Sequence, residues 1–193
     1  CSSSAAVGWA AIQRSLDAID RLEVRGRDSA GIHVSVTVDA ATAGDLGHLA
    51  GRSDPLFTDT AVDVNHVDAE RVMVSFTYKA AAEIGELGDN TRSLRASIAA
   101  DTALRRLLSL DGARVIVLGH TRWASVGGIY EPNTHLLNST ETEVASAGPY
   151  AIASLNGDVD NHGDLRVDHA LAIHDKITTD AKVIPVMWSR RLA

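Results

Sequence analysis

Three features of the sequence predict an α+β chain folded in layers. Apolar residues recur with a helical period near the N-terminus, several short segments alternate with a strand period, and the two kinds of segment interleave with no repeat, low-complexity tract or linker. With 193 residues, 45% of them hydrophobic and 22% charged, the chain is large and apolar enough for one domain, residues 1–193, around its own core.

The elements follow in order. Trp9, Ile12, Leu16, Ile19 and Leu22 stand three or four residues apart, which puts them on one face of an amphipathic helix. The segment AGIHVSVTV sets Ile32, Val34, Val36 and Val38 against polar neighbours, the pattern of a half-buried strand, with Gly31 supplying its turn. Residues 39–70 hold Gly, Asp, Thr and one Pro without a sustained period and read as an irregular surface insertion. RVMVSFTY is a further strand. TRSLRASIAADTALRRLLSL predicts a second helix, N-capped by Asp89 or Asn90, with Leu94, Ile98, Leu104 and Leu108 inward. RVIVLG reads as a buried strand and YAIASLNG as another short apolar one, and the loops after them carry the chemically interesting residues.

Composition excludes several classes of function. The formal charge is −7, and 18 basic residues scattered among 25 acids form no basic stripe, so no nucleic-acid partner is expected. The apolar runs fall far short of the roughly 20 residues that span a bilayer. The N-terminus lacks the charged-then-apolar layout of a signal peptide, so the expectation is a cytoplasmic protein with no membrane partner. The histidines, His48, His66, His120, His135, His169 and His174 among them, form no set with zinc or iron spacing, and neither a metal nor a cofactor is expected. The one cysteine cannot form an internal disulfide, but it is residue 1.

That position carries chemistry. An N-terminal cysteine offers a thiol together with an α-amine whose intrinsic pKa is near 8, so the amine can serve as base for its own nucleophile. The other reading of Cys1 is that the chain simply begins there. Asn156-Gly157, in LNGDVDN, can place a side-chain NH2 and a backbone N–H around an oxyanion, or can be a turn. Arg122, in GHTRWAS, can grip a carboxylate in two-pronged fashion or make a structural ion pair. Asp180, in TTDAKVI, can bind an ammonium group or cap the helix that follows.

Taken together, RLEVRGRDSAGI (21–32), GHTRWAS (119–125), LNGDVDNHGDLR (155–166) and TTDAKVI (178–184) resemble, in the same order and behind an N-terminal cysteine, the motifs of class II glutamine amidotransferase domains. Within that class the strings are most similar to the glutaminase domain of glucosamine-6-phosphate synthase. The resemblance implies the four-layer αββα sandwich of the N-terminal-nucleophile hydrolases and a glutamine amide hydrolysis that feeds ammonia to amino sugar phosphate synthesis. It implies Cys1 as nucleophile forming a γ-glutamyl thioester, and Asn156 with Gly157 as the oxyanion hole. Arg122 and Asp180 would hold the α-carboxylate and α-ammonium of L-glutamine, and Ser125 would stand where the family usually has Thr. Trp123 would move on ligand binding, its alternative being a core aromatic. Arg25 would brace the nucleophile's surroundings, and Asp28 would be structural. His135, in PNTHLL, would communicate with an acceptor domain, its alternative being an exposed loop histidine.

The chain also departs from that pattern. CSSSAAVGWA stands in place of the family's apolar opening strand, so either that strand is divergent or residues after Cys1 are missing; Val126 stands at a histidine position and Lys182 at a carboxylate position. The stretch from Ile32 to Gly119 is longer than in the synthase, and the chain ends before the last strands such a domain needs, as a piece of a larger protein would. Its expected partners are L-glutamine and a sugar-phosphate isomerase domain in that larger protein, with homo-oligomerisation left open. Two other functions remain: an N-terminal-cysteine amidohydrolase acting on another amide, and a degenerate domain that binds glutamine without turnover.

Overall fold

The computed structural model describes residues 3–52, 54, 56–57, 60–82, 86–142 and 148–193, without the side chain of residue 50. The expected first helix is α1, Ser3–Leu22, and its buried stripe of Ala5, Gly8, Ile12, Leu16 and Ile19 is the helical-period face. Trp9 is half-buried, whereas Leu22, expected on the same face, leaves the core and is 52% exposed. A turn of 3₁₀ helix, Glu23–Arg25, follows. The chain then enters β1, Ser29–Asp39, the strand expected from residues 30–38.

The strand β1 is not half-buried. It is central in a four-stranded antiparallel sheet of order β2-β3-β1-β4, in which β2 is Ala61–His66, β3 Arg71–Ala80 and β4 Arg114–Arg122. Val34 sits between Phe76 of β3 and Val117 of β4, and this alternate set, with Ile32, Val36, Val38 and Val74, packs on Ile12, Leu16 and Ile19. The polar set on the other face is covered as well, with His33 and Ser35 3% and 8% exposed. His33 Nδ1 lies 3.0 Å from Thr77 Oγ1 and Nε2 2.9 Å from Ser35 Oγ, which in turn lies 3.2 Å from Ser75 Oγ. The polar groups thus satisfy one another across neighbouring strands, which is the condition for burying them.

The region 39–70 is more regular than expected. Asp39 caps the short helix α2, Ala40–Ala43, by accepting from the amides of Ala41 and Thr42, and β2 closes one edge of the sheet. With only Val62 and Val64 alternating, the strand period was too short to be read. The second helix is two: α3, Asp89–Ala100, and α4, Thr102–Leu108. Gly88, in a left-handed conformation at φ 93°, occupies the N-cap position, while Asp89 begins the helix and Asn90 bonds Ala82 N and Arg27 O. The break falls at Asp101, whose carboxylate accepts from the amides of Ala103 and Leu104 and restarts the helix. Leu94, Ile98, Leu104 and Leu108 all point inward as expected.

Two further corrections concern the C-terminal half. RVIVLG forms β4, but as the edge strand, with Ile116 70% and Leu118 39% exposed. YAIASLNG contracts to β6, Ile152–Ala153, which among the described residues pairs only with β5, Leu137–Asn138. Beyond them, α5, His162–Asp168, and α6, Val183–Arg191, share a second small core of Leu171, Ile173, Ile177, Val183 and Val186. Among the described residues no helix is long and apolar enough to cross a membrane.

Candidate functional site

The C-terminal end of β4 opens onto a cavity of about 590 Å³. Its walls come from all four sequence blocks: Leu22 and Arg25 from the first, Gly119 through Trp123 and Ser125 from the second, Leu155 through Asp158 from the third, and Thr179 with Asp180 from the fourth. His135 completes the lining. Every described residue expected at the site therefore meets in one place. Cys1 lies outside the described residues.

Local structure explains the convergence. Antiparallel pairing sets Ser29 opposite Arg122, and Arg27 forms a further bridge to Arg122, so the first block is fixed against the second. Asp28 accepts the amide of Ala124 at 2.8 Å and holds the turn after the strand, the structural role expected for it. Ser125 donates to Asp158 at 2.6 Å, and Asp180 accepts the amide of Val159 at 2.6 Å, so two side chains of opposite walls clamp the third block. Asp180 caps no helix end: α6 has no side-chain cap.

Arg122 is 4% exposed and forms no ion pair within 4 Å among the described residues. Two of its N–H groups go to the carbonyls of Val126 and Gly128. Burial lowers its affinity for the proton, opposed by the nearby Asp180, Asp28 and Tyr130, yet a guanidinium stays charged. A buried cation and a buried carboxylate thus border the same cavity without a direct salt bridge. Of the departures from the resemblance, Val126 touches this pair through its backbone, its carbonyl accepting from Arg122, whereas the Lys182 ammonium is turned elsewhere. Val126 offers only its carbonyl, and Lys182 is buried with its ammonium on Asn138 O, Asn138 Oδ1 and Thr140 O, where it pins the β5 region.

The remaining expected residues differ in setting. Asn156 and Gly157 are exposed on the cavity wall, and the Asn156 amide makes no hydrogen bond with the described residues. Gly157 adopts φ 151°, a backbone conformation that favours glycine. No strand follows, so this is not a hairpin turn. Trp123 is 74% exposed at the rim, which excludes the core-aromatic alternative. Arg25 is exposed as well.

His135 is not an exposed loop residue: it is 5% exposed, and its Nδ1 accepts the amide of Leu155 at 3.3 Å. Its ring lies 4.7 Å from that of His120. Burial, then the neighbouring His120, Arg122 and Lys79, hold its pKa down at about 3, and burial lowers that of His120 too. Both rings are neutral at physiological pH. Sequence reasoning gave no role to His120, nor to Asn133, which ties the site together. The fully buried Asn133 amide donates to Gly128 O and Thr178 Oγ1 and accepts from the amides of Thr178 and Thr179. It joins the loop that holds Arg122 to the segment that carries Asp180. The only sign of it was an Asn two residues before His135 in a polar loop. Among the described residues no group of three or more His, Cys, Asp or Glu side chains could hold a metal ion.

No protein-family model matches the chain, and neither does any curated protein or solved structure.

Proposed function

We propose that the cavity binds a free α-amino acid, L-glutamine, and that the chain is a class II glutamine amidotransferase-type domain with the N-terminal-nucleophile hydrolase sandwich. One observation carries the reading: four blocks spread from residue 21 to residue 184 supply the walls of a single cavity, with Arg122 and Asp180 both buried at its border. A free amino acid presents one carboxylate and one ammonium at fixed separation, and a cation and an anion that do not neutralise each other suit that pair. Arg122 takes the α-carboxylate with N–H groups left over from its two carbonyl contacts, Asp180 takes the α-ammonium, and the Ser125 hydroxyl adds a polar contact. Asn156 and the Gly157 amide face the side-chain carboxamide.

In the hydrolytic form of the reading, the Cys1 thiolate adds to that carboxamide. Asn156 and Gly157 hold the oxyanion while the α-amine of Cys1 returns the thiol proton to the departing ammonia. Water then cleaves the γ-glutamyl thioester to glutamate and free thiol, and the ammonia serves amino sugar phosphate synthesis on a sugar-phosphate isomerase domain. A second form, glutamine binding without turnover, is favoured by the course of α1. Ser3 opens that helix beside Gly112–Val115, at the opposite end of β4 from the cavity, and 20 helical residues span about 30 Å.

Calorimetry with L-glutamine, its α-amide and N-acetylglutamine tests the shared claim. Losing either charged contact lowers affinity by about 2 to 5 kcal/mol, roughly 30-fold or more, and Asp180→Asn and Arg122→Lys should each do the same to glutamine itself. Equal affinity for all three ligands, or none for glutamine, sinks both forms. Ammonia release and a 6-diazo-5-oxo-norleucine adduct on Cys1 distinguish hydrolysis from binding alone.

A further inference from the structure

The unprotected edge of the sheet carries an inference independent of the ligand. Apart from the bridge between Arg27 and Arg122 at its end, β4 pairs with β1 alone among the described residues, and the sheet order leaves its other edge open. Open edges are normally guarded by a charge, a proline or a bulge. From Val115 to Gly119 β4 has neither charge nor proline, and its register with β1 runs unbroken from Arg122 to Arg114. Its two exposed large apolar side chains, Ile116 and Leu118, lie on one face.

We propose that this edge pairs with β4 of a second copy of the chain, in an antiparallel dimer whose twofold axis passes through Val117. The choice of occupant follows from self-complementarity. A twofold at Val117 sets Ile116 opposite Leu118 of the second copy and Leu118 opposite its Ile116, so four exposed apolar side chains close on one another. Arg114 then meets His120 of the second copy, which burial keeps from charging. A twofold one residue further on, at Leu118, would oppose Arg114 to Arg122, two cations. The Val117 register joins two four-stranded sheets into one of eight. It also places Arg114 of the second copy beside His120, which lines the cavity.

Light scattering of the purified chain at tens of micromolar in about 0.15 M salt, where the −7 charge of each copy is screened, should give twice the 20.4 kDa mass. Ile116→Lys and Leu118→Lys alter exposed side chains, so circular dichroism should be unchanged while the mass halves. For the register, a Cys1→Ser chain with Ile116→Cys and Leu118→Cys together should form an intermolecular disulfide on mild oxidation, and with Ile116→Cys alone should not. A wild-type monomer overturns the proposal, as does a dimer that survives both lysine variants or one crosslinked by Ile116→Cys alone. A crosslink from the single variant would mean a twofold at Ile116.

Discussion

At position 31 a methyl group has no room. A Cβ there would lie 2.0 Å from the carbonyl oxygen of His135 and 2.9 Å from its carbonyl carbon. Gly31 is therefore not the turn residue that its place before an alternating run suggested: it lies within β1 and lets the His135 segment, and with it the cavity lining, rest directly on the sheet. Gly31→Ala should cost about 1 to 3 kcal/mol, the range for overpacking a filled site. It should also weaken ligand binding, because the displaced backbone carries His135. Urea unfolding with the midpoint unchanged would refute the account. Asn133 gives a complementary prediction. Its amide makes four hydrogen bonds across two segments, so Asn133→Ala strands buried backbone groups and should destabilise by about 2 to 4 kcal/mol. Asn133→Asp keeps the acceptor but not the donors and should fall between. Neither role was legible, since both depend on which strands and loops approach in space.

Among the elements, the junction of α3 and α4 concentrates the most dependence on one side chain. Asp101 caps α4, accepts the Tyr78 hydroxyl at 3.0 Å and pairs with Arg52 at 2.7 Å. Burial pushes its carboxyl up, but the Arg52 contact and the amide of Leu104 outweigh that, and the pKa is lowered overall. Asp101→Ala removes a cap, typically about 1 kcal/mol, and leaves the Tyr78 hydroxyl, 1% exposed with its ring, without an acceptor. The total loss should be about 2 to 4 kcal/mol, and Asp101→Asn, which still caps, should lose about half as much in the same urea titration. The helical stretch was readable because Leu94, Ile98, Leu104 and Leu108 keep one face across the break. The break itself was not, because an Asp inside a helical period carries no mark of whether it caps. The same limit hid β2 and made β4 look central: an apolar run shows that a strand forms but not which neighbours it receives. The candidate site was more legible than the fold around it, because Arg122, Asn156, Gly157 and Asp180 were recognised as residue types in order. That recognition needs no knowledge of the sheet.

For the molecule as a whole, burial on both faces of the sheet predicts a sensitivity to acid. His33 is enclosed between the sheet and the segment around Tyr150, whose ring lies 6.1 Å from it, and burial lowers its pKa to about 4. His135 is held at about 3 on the same side of the sheet, against Gly31. The unfolded chain titrates both near 6.5. Both folded values are depressed, so above pH 6.5 neither state carries the protons and stability is at its plateau. As the pH falls from 6.5 towards 4, the unfolded chain takes up two protons that the fold refuses, and stability is lost. Each group contributes at most about 1.4 kcal/mol per pH unit, so the two together approach roughly 2.7 kcal/mol per unit across that window. His120, lowered in the same direction, adds to the loss. Urea unfolding at half-unit steps from pH 7.5 to 4.5 should show a flat region followed by this decline. His33→Gln, whose amide can still reach Thr77 or Ser35 but cannot take up the proton, should lower the plateau yet reduce the slope below pH 6.5 by about the share of one group. Stability unchanged between pH 7 and 5 would mean that these imidazoles accept protons in the folded state and that the polar face is open to water.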